Sequence, residues 1–98
     1  LSNANALKHI AKSENRNVKI SNIGTTDLQI SKDFIPEEYR NKLTIINETK
    51  NSDYILNNYR NWLGENINQE LKIPVNFEVF YEIKIDDVPI NTIYKKMK

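Results

Sequence analysis

Glu82-Ile83-Lys84 is the stretch of this chain whose residue types and spacing come nearest to a known chemistry. On a β-strand, residues two apart share a face, so an E-x-K places a carboxylate beside an ammonium. Many metal-dependent nucleases use that pair. The carboxylate holds a divalent cation, and the lysine stabilises the attacking water or the developing charge. A second acid is required, and Asp53 or Asp86 is available. The catalytic alternative is therefore Glu82, Lys84 and Asp86. Any alternating solvent face generates the same three residues, however, and Glu78 continues the polar row. The 98-residue chain also lacks the βα units that normally surround such a centre. The preferred reading is a wetted strand face, with no catalytic residue assigned.

Other constellations lack a necessary part. Asp86-Asp87 is a pair of adjacent carboxylates in a turn, without the spaced oxygen ligands and glycine of a calcium loop. His9 is the only histidine and there is no cysteine, so neither a multi-His metal site nor a Cys-His dyad can form. A serine triad would have to recruit His9 from the N-terminal segment. The two glycines, Gly24 and Gly64, are too far apart for a phosphate loop. Asn47-Glu48-Thr49 fits a glycosylation sequon. Trp62, with Tyr59 and Arg60, is the candidate binding cluster, because aromatics and arginine dominate interface energetics. A core role for Trp62 is the competing and favoured interpretation. No cofactor and no metal ligand set is expected.

These residues need elements to position them, and the organising one is Ile73–Ile85. Its odd positions, Ile73, Val75, Phe77, Val79, Tyr81, Ile83 and Ile85, are apolar, and its even ones from 76 to 84 are polar except Phe80. That alternation predicts a strand with one buried and one wet face, as in antiparallel sheets. Pro74 marks its start. Residues 18–30 read as strand, turn and strand, with Val18 and Ile20 on one side of Gly24 and Leu28 and Ile30 on the other. A turn at 36–40 precedes a strand at 42–47. Residues 52–63 read as a helix, since Ile55, Tyr59, Trp62 and Leu63 recur at helical spacing and Ser52 can cap the first turn. Asp86–Pro89 reads as a turn, followed by a short strand to Tyr94. Residues 1–16 read as a loosely ordered lead-in, although Leu7, Ile10 and Ala11 could share one helical face.

Composition bounds the function without naming it. The chain carries 39% apolar and 28% charged residues and a net charge of +1. That charge supplies no strong field, so nucleic acid is not an expected partner. Residues 51–90 hold seven acids and three bases, and the last eight hold three lysines and no acid. A solvated face with a lysine-tipped tail accounts for this. No apolar run is long enough to span a bilayer. Compartment and oligomeric state are not encoded in any recognisable signal.

Val18-Lys19-Ile20-Ser21-Asn22-Ile23-Gly24 followed by Leu28-Gln29-Ile30 resembles the V-x-I-x-N-x-G … L-x-I pattern of bacterial immunoglobulin-like β-sandwich domains. The Phe77–Ile83 strand and the Asp-Pro turn sit where a late sandwich strand falls. The resemblance covers about a quarter of the chain, and the helix expected at 52–63 departs from it. It implies a non-catalytic spacer or interaction domain in an envelope- or membrane-associated protein. The expected fold is a single β-rich domain over 1–98, an antiparallel sheet or Ig-like sandwich with one short helix. An α+β domain with a second helix at 36–49 is the alternative. The expected core is Val18, Ile20, Leu28, Ile30, Leu43, Ile45, Val75, Phe77, Val79, Tyr81, Ile83 and Ile85, plus the stripe of the 52–63 helix. The expected function is a non-catalytic accessory domain with a protein partner, and the alternative is a small metal-dependent nuclease or toxin.

Overall fold

The computed structural model describes residues 2–23, 28–57 and 73–97. Its elements are α1 (Ser2–Ser13), β1 (Val18–Asn22), α2 (Leu28–Lys32), α3 (Glu37–Arg40), β2 (Leu43–Ile45), a 3-10 turn (Thr49–Asn51), β3 (Tyr54–Asn57), β4 (Phe77–Ile85) and β5 (Val88–Lys96). The fold is β-rich, with five strands in one sheet in the order β2-β1-β3-β5-β4.

The sheet is mixed, which corrects the antiparallel expectation. β1 runs parallel to β2, pairing Val18 with Leu43 and Ile20 with Ile45, and parallel to β3, pairing Ile20 with Tyr54. β5 is antiparallel to both β3 and β4. Parallel neighbours need a crossover rather than a tight hairpin. Leu28–Lys32 accordingly forms a helix between β1 and β2, not the second arm of a hairpin. Leu28 is buried there, while Ile30 on the opposite side of this short helix is 60% exposed. The residues between the two arms, 24–27, lie outside the described set.

The lead-in is also corrected. Residues 2–13 form a three-turn helix whose Ala4, Leu7, Ile10 and Ala11 enter the core. Ala6 is fully buried as well, and such small side chains let a helix lie close on a sheet. Fully burying a leucine or isoleucine stabilises by roughly 1.5–3 kcal/mol. Lys42 closes the helix end, its Nζ donating to the carbonyls of Ala11 at 3.1 Å and Glu14 at 2.9 Å. A cation there satisfies orphan carbonyls and complements the helix dipole. The sheet side of this core comprises Val18, Ile20, Leu43, Tyr54, Leu56 and Ile93, with Ile45, Phe80 and Ile83 packed against it.

The helix expected from residue 52 is a strand over Tyr54–Asn57, and all four of its residues are buried. A strand at the centre of a sheet is covered on both faces, so its apolar run does not alternate. Tyr54, Ile55 and Leu56 are that run, and the coincidence of Ile55 with later aromatics imitates helical spacing. Residues 58–72, including Tyr59, Arg60, Trp62 and Leu63, lie outside the described residues.

In β4 the expected alternation of burial is not found: Phe77 is buried, Phe80 and Ile83 are half-buried, and the other residues of the strand are exposed. Val79 pairs with Tyr94 and Tyr81 with Ile93, so one extra residue, Phe80, sits between them as a bulge. Tyr94 and Ile93 are neighbours and face opposite ways. Val79 and Tyr81 therefore lie on opposite faces. Burial also falls from the sheet centre to its edge: Leu56 and Ile93 are buried, whereas Tyr81, in the same row, is 39% exposed. Val75, Val79 and Ile85 are likewise exposed, while Phe77 is buried. The strand begins at Phe77 rather than at Ile73. A two-residue turn joins β4 to β5, with Asp86 and Asp87 at φ 52° and 67°, the positive values a twisted hairpin favours. Val88 and Pro89 already belong to β5.

Candidate functional site

Two surfaces gather chemically able residues, and they lie at different parts of the sheet. The first is a polar cluster where α1 ends against β3 and β5. Tyr54, buried at the start of β3, donates its hydroxyl to Glu14 Oε2 at 2.5 Å. Arg16 bridges Glu14 at 3.6 Å and Asp53 at 3.6 Å, and Lys95 Nζ approaches Glu14 at 4.0 Å. Asp53 also accepts the Lys19 amide at 2.9 Å. Lys95 stands over the Tyr54 ring and the Phe80 ring, at 5.9 and 5.3 Å from their centroids. Burial, then the hydrogen bond and charge of Glu14, push the Tyr54 hydroxyl well above its ordinary value. It is a held proton donor, not a base or a nucleophile. Both carboxylates are already matched by donors, so the cluster fastens the helix end to the sheet.

Tertiary folding alone creates this cluster. Glu14 and Tyr54 are 40 residues apart, and no spacing in the sequence links them. Asp53 was visible only as a candidate second acid.

The second surface is the β4–β5 hairpin, which carries the sequence-derived catalytic alternative. Lys84 Nζ lies 3.7 Å from Glu82 Oε1, both partly exposed, so the E-x-K forms an ion pair within one strand. Asp86 occupies the turn beyond it. Asp53 belongs instead to the polar cluster. Among the described residues no three histidine, aspartate or glutamate side chains assemble as metal ligands. His9 of α1 stacks on Tyr81 at 3.9 Å, with ring planes 17° apart, and lies 5.6 Å from Phe80. These contacts attach the helix to the hairpin. Val79, Ile85 and Val88 are 56%, 58% and 59% exposed. β4 is the outermost of the described strands on that side. The binding cluster expected at Tyr59, Arg60 and Trp62 lies outside the described residues.

Among the described residues no helix is long and apolar enough to cross a membrane. The chain matches no protein-family model, no curated protein and no solved structure.

Proposed function

We propose that this chain is a non-catalytic interaction domain, an accessory part of a larger bacterial, envelope- or membrane-associated protein, that docks a protein partner along the β4–β5 hairpin. The observation that carries this reading is the edge itself. Val79, Ile85 and Val88 are more than half exposed on or beside the outermost described strand. Exposed apolar side chains on an edge strand invite another chain to pair there. Strand addition joins such partners through main-chain hydrogen bonds, with side chains supplying specificity. Glu78, Glu82 and Lys84 keep the edge from indiscriminate pairing, because charges on an edge strand oppose aggregation. The resemblance at residues 18–30 implies the same accessory role, although residues 28–30 are helical here and not a sandwich strand.

The test compares capture from the source cell by the wild-type chain and by Val79→Asp/Val88→Asp. Both substitutions fall at exposed positions, and unchanged circular dichroism verifies the fold. Partner bands lost from the variant support the docking edge; bands retained at full strength overturn it. Calorimetric titration with Mg²⁺ or Mn²⁺ on wild type and Glu82→Ala addresses the nuclease alternative. Metal heat present in the wild type and lost in the variant would establish that alternative against this proposal.

A further inference from the structure

A separate feature lies beyond the start of β3 and takes in Lys96, the last residue of β5, at the end of the hairpin opposite its turn. The Asp53 amide donates to the Lys19 carbonyl at 2.7 Å, and the Asp53 carbonyl accepts the Lys96 amide at 3.0 Å. Lys19 and Lys96 thus stand on either side of one residue in a continuous row. Two strand spacings separate their backbones by about 10 Å. The pairing registers place both side chains on the sheet face opposite α1. The segment after β2 completes a cleft of ≈ 440 Å³ lined by Lys19, Ile46, Asn47, Glu48, Asn51 and Lys96.

The charges in this cleft are not matched against each other. Glu48 Oε2 accepts from Asn51 Nδ2 at 2.8 Å and pairs with neither lysine. The nearby Asp53 carboxylate is taken by the Lys19 amide and by Arg16. The Lys96 ammonium donates to the Lys50 carbonyl at 3.4 Å and lies over the Phe77 ring at 5.8 Å. Among the described residues no carboxylate lies within ion-pair distance of the Lys19 or Lys96 ammonium.

We infer that this cleft binds a small ligand carrying a phosphate monoester. A phosphate monoester is mostly a dianion at neutral pH, its second pKa being about 6. Its two negative charges face the two ammoniums, whose flexible stems can converge on one central group, and Glu48 lowers the summed charge of the lining to +1. The side-chain amides of Asn47 and Asn51 offer donors and acceptors for a polar body beside the phosphate. The volume exceeds that of the anion alone and falls within the range of small-molecule sites. None of the described lining residues is aromatic, and the polar ones suit a hydroxyl-rich body rather than a stacked ring system.

The intact chain, titrated at constant ionic strength and observed through its backbone amide resonances, tests the assignment. Inorganic phosphate should give saturable shifts at Lys19, Asn47, Asn51 and Lys96. Glycerol 3-phosphate should bind more tightly, and acetate should produce no saturable shift. Lys19→Gln or Lys96→Gln should weaken phosphate by about tenfold, the scale of one charge-assisted hydrogen bond. Glu48→Gln should tighten it, and a gain in affinity cannot come from a damaged fold. Absence of saturable phosphate shifts, equal affinity for acetate, or Glu48→Gln binding more weakly would each overturn the inference.

Discussion

β1 and β3 bury most of their side chains, whereas β4, in the same sheet, leaves most of its own in water. The difference follows from what each strand has beside it. β3 has strand neighbours on both sides, and α1 lies over one of its faces through Leu7 and Ile10. β4 has a described strand on one side only, and its row partners grow less covered toward the edge. The parallel half therefore carries the stability, and the hairpin half carries accessible surface. Similar apolar composition in two strands serves two different purposes.

Substitutions across the two halves can break or sharpen that contrast. Ile10→Ala, in the core beneath the parallel strands, should cost about 3 kcal/mol in urea unfolding, from lost burial plus the cavity left behind. A cost similar to that of a hairpin substitution would erase the distinction. Tyr54→Phe should cost about 1–2 kcal/mol, because Glu14 loses a buried donor while the ring contact with Phe80 remains.

The same variant carries a pH signature. The Tyr54 pKa is raised above its ordinary 10.0 in the folded state, so the fold favours the neutral hydroxyl. That contribution is fully present below the unfolded value and is lost as pH rises through the folded one. Wild type should therefore lose stability more steeply than Tyr54→Phe above about pH 10. Parallel profiles for the two proteins would show that the hydroxyl is not the titrating group.

Ser52→Ala should cost about 1 kcal/mol, since the buried Ser52 hydroxyl bridges Ser21 Oγ at 3.1 Å and the Thr49 carbonyl at 2.6 Å. Val79→Ala, on the hairpin, should fall within about 0.5 kcal/mol of wild type. A larger loss there would mean that Val79 is structural, and the docking edge would lose its main support.

The strands at 18–22, 43–45 and 77–85 were legible because each shows apolar residues bounded by turn chemistry. The type of β3 was not. Burial on both faces removes the alternation that identifies a strand, and Tyr54-Ile55-Leu56 then reads equally well as part of a helix. Strand direction was also hidden, because pairing parallel to β1 depends on contacts between Ile20 and Tyr54, far apart in the chain. In β4 the single inserted residue, Phe80, reversed the faces beyond it, and alternation by itself gives no sign of a bulge. Lys84 beside Glu82 was readable from strand geometry. The Glu14–Arg16–Asp53–Tyr54 cluster was not, since only the completed fold brings those residues together.

Asn91 of β5 donates to Asn3 of α1 across 88 positions, and Ile93 completes the core that α1 covers. β5 is thus the junction between the parallel strands and β4, and it is the last of the five to leave the ribosome. Until it emerges, β3 and β4 lack the one antiparallel neighbour that each has among the described strands. Among the described strands, every antiparallel pairing of the sheet runs through β5, so β3 and β4 are joined only once that strand is in place.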